Sequence, residues 1–254
     1  MSNITVEPGT QKALVLSAGG MFAAYQAGVY KALWPHWKPD LVVGASAGAL
    51  NGWLIAGCID PDELIERWFH PDTRKAVKFR HPGPLLDRAR SIHREFPRKL
   101  PLGVVSIEVP RFRPRLFRND EITPEHLLAT CSILFFYPAV RIDGYRLVDG
   151  GLFESTPVWA AAAMGATHVV AINAFPRVTP WAIHAVLSGM HRLRKMPVPE
   201  SLHVAVISPS EWMGTARDAM VWDAANVRRW VDMGFRDGET FLSEPDRSLT
   251  VAAQ

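Results

Sequence analysis

An apolar strand that turns into a helix of small residues is the feature that most narrows the folds open to this chain. Leu41–Val43 is apolar, Gly44-Ala45-Ser46-Ala47-Gly48 follows, and Ala47–Gly57 is small and apolar. The pentapeptide is G-x-S-x-G between a strand and a helix, the setting in which a serine sits on a sharp turn with its hydroxyl exposed at the strand end. Crowding at such a turn demands small neighbours, and Ala45 and Ala47 meet the demand. The helix behind Ser46 points its amide dipoles at the hydroxyl and favours negative charge developing there.

The rest of the chain alternates in the same way. Ala13–Ser17 reads as a buried strand, Tyr25–Trp34 as a helix stopped by Pro35, and Pro61–Phe69 as a helix with a polar face. Pro124–Cys131 is helical with Thr123 as its N-cap. Asp143-Gly144 between two short extended runs predicts a hairpin over Val140–Val148. Pro157–Met164 is a helix, Ala166–Asn173 and Leu202–Ser208 are strands, and Asp223–Leu242 is an amphipathic helix. Strands alternating with helices predict an α/β domain around a mainly parallel sheet. We expect a single domain over 1–254.

Charge is unevenly spread. Net charge is +3, yet Arg74–Arg118 carries 13 Lys/Arg against Asp87, Glu95 and Glu108, which leaves the remainder at −7. Residues 70–118, rich in proline, read as a basic insertion or cap that ends in strands near Leu102–Ile107 and Arg113–Phe117. An ordinary solvated face explains the charge. So does attraction to an anionic membrane, with Trp68, Phe69 and Phe79 near enough to insert. No nucleic-acid motif accompanies it. Two cysteines, Cys58 and Cys131, make no disulfide framework. With no basic-then-apolar leader and no 18-residue apolar run, we expect a cytoplasmic protein, with peripheral membrane contact through the 74–118 segment.

Two further stretches carry chemistry. Ser17-Ala18-Gly19-Gly20-Met21 links the first strand to the first helix, and its glycines would let backbone amides approach an oxyanion. It also reads as a plain tight turn, and it matches neither phosphate-loop pattern. Asp149-Gly150-Gly151 follows the hairpin and would leave a carboxylate projecting from a strand end. Held beside Ser46 in an apolar pocket, that carboxylate would have a raised pKa and act as a base. A Ser-Asp-His order is met by His168, His184, His191 and His203, but these fall in strands or a helix rather than on strand-end loops. Cys, His and acidic residues show no zinc or EF-hand spacing, so neither metal nor cofactor is expected.

Together these pieces resemble the patatin-like phospholipase family. LVLSAGGMFAAYQAGVYKAL is similar to its oxyanion loop and first helix, GASAG to its nucleophile elbow, and PAVRIDGYRLVDGGLFESTPVWAAAAMGATHVVAIN to its aspartate region. The resemblance implies a three-layer α/β/α patatin-like fold and lipid acyl-ester hydrolysis, as in phospholipase A, lysophospholipase or esterase. It also implies Ser46 as nucleophile, Asp149 as base, and Gly19, Gly20 and the Met21 amide as oxyanion hole. The family loop commonly reads G-G-G-x-R/K-G, whereas here Ala18, Phe22 and Ala23 replace the first glycine, the cation and the last glycine. Glu154-Ser155 stands where an Asn pair is common. Two alternatives remain open: an impaired lipid- or partner-binding protein, and an acyltransferase.

Overall fold

Short apolar strands at the centre of a sheet must bury both faces, and in this computed structural model Lys12–Leu16, Leu41–Ala45 and His168–Ile172 are buried along nearly their whole length. The structure describes residues 10–76, 81–134, 136–152, 154–174 and 196–243. The strands are β1 (Lys12–Leu16), β2 (Leu41–Ala45), β3 (Leu102–Val109), β4 (Arg113–Arg118), β5 (Val140–Ile142), β6 (Tyr145–Val148), β7 (His168–Ile172) and β8 (His203–Ile207). They form one sheet in the order β5-β6-β3-β2-β1-β7-β8, with β4 paired to β3. The pairs β2–β3, β1–β2, β1–β7 and β7–β8 are parallel; those of β3 with β4 and β6, and of β5 with β6, are antiparallel.

Alternate residues of the central strands face opposite layers. Leu14, Leu16, Val42 and Ile172 join one core with the helices α1 (Ala24–Leu33), α2 (Ala47–Ala56) and α8 (Ala224–Ser243). Ala13, Val15, Val43 and Ala171 join the other, under α7 (Val158–Ala163). The result is a three-layer α/β/α arrangement, as expected. The remaining helices are α3 (Pro61–Phe69), α4 (Pro71–Ala76), α5 (Gly83–Glu95) and α6 (Pro124–Thr130). Thr123 is the N-cap of α6. Asp143 and Gly144 both have positive φ, which gives the expected hairpin between β5 and β6.

The basic segment divides in two. α5 packs against α6 and α2, and α4 packs against α5 and α3. Leu102–Arg118 instead enters the sheet, because β3 is buried along nearly its whole length and is paired on both sides. His184, His191 and Phe79 lie outside the described residues. No described helix is long and apolar enough to cross a membrane.

The strand-to-helix loop after β1 is fixed from behind by a close helix crossing. α1 and α8 meet backbone to backbone: a Cβ on Gly28 would lie 2.0 Å from the Val231 carbonyl oxygen, and one on Gly234 would lie 2.1 Å from that of Tyr25. Tyr25 donates its hydroxyl to Asp237 at 2.9 Å beside this crossing. Gly28→Ala should therefore force the helices apart and cost about 1–3 kcal/mol. Gly83→Ala, whose Cβ meets nothing within 4 Å, should stay within about 0.5 kcal/mol of the parent. Urea denaturation of the two variants checks the contrast.

Candidate active site

β2 ends at Ala45, α2 begins at Ala47, and Ser46 occupies the turn between them with φ 54° and ψ −133°. That is left-handed territory that a serine avoids unless its surroundings impose it. The surroundings are specific. The turn needs Gly48, where a Cβ would sit 2.3 Å from the Ser17 carbonyl oxygen. The Ser46 amide donates to Thr130 Oγ1 at 2.9 Å, and Thr130 Oγ1 donates onward to the Val105 carbonyl at 2.5 Å. One hydroxyl from α6 thus ties the turn to β3.

Asp149 follows β6, which runs antiparallel to β3 and delivers the carboxylate to the same end of the sheet. Ser46 Oγ donates to Asp149 Oδ2 at 2.6 Å, across 103 positions of sequence. The other carboxylate oxygen accepts the Gly151 amide at 2.8 Å, and the Asp149 amide donates to the Ser132 carbonyl at 2.9 Å. Ser46 and Asp149 are 5% and 7% exposed, so water does little to solvate the charge. Burial raises the Asp149 pKa from its ordinary 3.8 to about 6, against the smaller opposing pull of the Ser46 and Gly151 hydrogen bonds. Cys131 lies beside the pair, and burial pushes its thiol well above the usual range.

The glycine loop stands opposite. Among the described residues no acceptor meets the amides of Gly19 or Gly20. The Met21 amide is different: it donates to the Ala219 carbonyl at 2.9 Å. The expectation that Met21 supplies a free amide is therefore corrected, because the segment before α8 already occupies that donor. Gly20 has φ 55°, and a Cβ there would strike the same carbonyl at 2.3 Å. Phe22, at the position where the family usually has a cation, turns into the core and meets Trp230 edge-on at 5.0 Å.

Polar groups that sequence reasoning does not reach hold this loop in place. Gln26 Nε2 donates to the Ser17 carbonyl at 2.8 Å, Asn51 Nδ2 donates to the Ala23 carbonyl and to Gln26 Oε1 at 2.9 Å each, and Trp68 Nε1 donates to Asn51 Oδ1 at 3.2 Å. The only signal was a lone amide inside each of two apolar helices. His168 and His203 start β7 and β8, stacked on each other at 4.5 Å at the sheet end remote from Ser46. No histidine lines the Ser46 cleft among the described residues.

The cleft, together with the solvent space at its mouth, spans about 650 Å³. Leu50, Trp68, Leu85, Ile133, Tyr137 and Met220 make it mostly apolar, with Ser46 and Gly20 on its wall. It suits a chain of methylenes with an ester at the serine end. Among the described residues no cluster of acids, His and Cys could hold a metal ion. Removing the Thr130 hydroxyl should leave a buried amide and a buried carbonyl without partners. Thr130→Val is expected to cost about 1–3 kcal/mol, whereas Thr130→Ser keeps the oxygen and most of the stability; equilibrium unfolding of both variants measures it.

Comparison with known proteins places the chain in a family. The patatin-like phospholipase family matches residues 14–104 and 103–162. Patatin-like phospholipase domain-containing protein 6 of Mus musculus is 29% identical over 184 residues, 65% of this chain and 14% of that protein. Its Homo sapiens counterpart is likewise 29% identical, over 13% of its length. This chain thus spans about a seventh of those relatives. In fold it is similar to VipD from Legionella pneumophila, with a TM-score of 0.53 at 12% identity over 92% of this chain and 67% of that one. The chain belongs to the patatin-like phospholipase family, a family of lipid acyl hydrolases.

Proposed function

We propose that this protein hydrolyses carboxylic esters of lipids, with Ser46 as nucleophile and Asp149 as base. The observation that carries the reading is the 2.6 Å hydrogen bond from Ser46 Oγ to a desolvated carboxylate, beside an apolar cleft. Asp149 takes the hydroxyl proton as Oγ bonds to the ester carbonyl carbon. The carbonyl oxygen becomes an oxyanion facing the Gly19 and Gly20 amides. Collapse breaks the carbon–oxygen bond to the alcohol, which receives the proton from Asp149. Water then gives a proton to Asp149 and attacks the acyl-serine. The bond to Oγ breaks, Oγ regains the proton, and the fatty acid departs.

Asp149 accepts a proton only when ionised, and its value near 6 sets the pH window. Labelling of Ser46 by a fluorophosphonate should be flat above pH 7 and about tenfold slower at pH 5, since about one site in ten is then ionised. Ser46→Ala should abolish labelling, and Asp149→Asn should slow it by on the order of 10²–10⁴. A wild-type protein that refuses the probe at every pH would instead favour an impaired, lipid-binding role, a reading that the Ala219 carbonyl over the glycine loop supports.

The basic edge supports docking on anionic lipid. Arg146 opposes Val109 at the end of β3, the end of the sheet that carries Ser46, and Arg141 opposes Arg146 across the hairpin. Arg113, Arg141 and Arg146 are exposed and make no ion pair among the described residues. Like charges set directly opposite repel, so a surface that keeps them suits an anionic partner. Binding to vesicles containing phosphatidylserine should weaken as salt rises from 0.05 to about 0.5 M. Arg141→Glu with Arg146→Glu should weaken it at every salt concentration; co-sedimentation that ignores both salt and these charges removes the idea.

A further inference from the structure

One helix puts a charge where its pattern calls for an apolar side chain. On α5, Leu85, Ala89 and Ile92 are buried, an i, i+4, i+7 stripe, and Arg88 falls inside that stripe at i+3. The helix therefore turns the arginine inward. Arg88 lines the cleft together with Ser46, Leu85 and Cys131, and it also borders a polar recess walled by Glu63, Glu66, Arg67, Asp72 and Glu95. Its guanidinium makes no hydrogen bond or ion pair among the described residues. The carboxylates that act on it at a distance are committed elsewhere. Asp72 faces His70 and Lys75, and Glu95 accepts from Arg67. Burial is the main influence on Arg88 and lowers its pKa to about 10, which still leaves it cationic at neutral pH.

A half-buried cation with no direct hydrogen-bonded partner is under-satisfied, and an anionic ligand would complete it. The apolar wall of the cleft cannot. We propose that Arg88 binds an anionic group of the substrate, the phosphate on the leaving alcohol of a lipid ester. Arg88 lines the same cleft as Ser46 and Cys131, so an anionic group on a lipid whose ester reaches Ser46 can come within its reach. A guanidinium fork matches two oxygens of a phosphate at once, which a lysine cannot reproduce.

This inference rests on the ester-hydrolase reading of Ser46 for its catalytic meaning, but it can be tested by binding alone. Ser46→Ala protein is titrated calorimetrically with lysophosphatidic acid and with the monoacylglycerol of the same chain, both below their aggregation thresholds. The phosphate-bearing lipid should bind at least about tenfold tighter. Arg88→Met in the same background should erase most of that margin, and Arg88→Lys should keep part of it. Equal affinity of wild-type Arg88 protein for the two lipids overturns the proposal, with no variant needed. So does a margin that survives Arg88→Met. Inorganic phosphate titrated alone should bind far more weakly; if it matches the lipid, the site is for a free anion and the lipid assignment fails. With active protein, the kcat/KM ratio for the anionic over the neutral ester should fall in Arg88→Met mainly through KM. Labelling of Ser46 by the fluorophosphonate reports separately on the hydrolase reading, so the two can fail independently.

Discussion

The whole arrangement depends on keeping one carboxylate dry beside one hydroxyl. Asp149 is held in a place where its charge is poorly solvated, and the folded protein binds a proton there more tightly than the unfolded chain does. The sign of the linkage follows. The stabilisation from protonating Asp149 is complete below its unfolded value near 4 and is lost as pH rises through about 6. At neutral pH the ionised site therefore works against folding, by about 3 kcal/mol. The left-handed backbone at Ser46 adds strain of its own. Both are tolerated because the surrounding sheet overdetermines the geometry: β2 delivers Ser46, β3 is the common neighbour of β2 and β6, and β6 delivers Asp149 to the same end.

That dependence on long-range pairing explains what could and could not be read from the chain. Ser46, Asp149 and the glycine loop carry local signals: small residues around a sharp turn, a hairpin dipeptide, paired glycines. The alternation of strands and helices was legible for the same reason, since burial on two faces leaves short apolar runs. Their meeting is a tertiary fact, and so are the supports. Thr130 looks like any residue near a helix end until its hydroxyl is seen bridging Ser46 and Val105. Met21 illustrates the opposite failure. Its sequence position suggests a free amide, yet a carbonyl about two hundred residues later takes it.

The basic segment was the least legible part, because charge and hydrophobic periodicity point in different directions within it. Its charge suggested a cap; its first half forms α4 and α5, of which α5 packs against α6 and α2. Its second half, however, contains β3, the strand that connects the serine side of the sheet to the aspartate side. Arginines crowd the neighbouring β4 and the β5–β6 hairpin because those strands sit at the sheet's margin, where one face is wet. Glu108 on β3 is the exception that fits: buried, it is paired with both Arg111 and Arg115, which hold its carboxyl below the ordinary value.

Arg88 is the inverse case, and the comparison decides how each should be understood. Glu108 is buried with two partners and so can be structural, since each charge satisfies the other. Arg88 is turned inward by a helix whose register would serve an apolar residue equally well, and it has no partner to satisfy. A structural role would be filled better by leucine or methionine at that position, which would extend the stripe of Leu85, Ala89 and Ile92. The carboxylates of the neighbouring recess act on it only at a distance, so an anionic ligand would give it the direct partner that the chain does not. The cleft it borders is the one that opens onto Ser46.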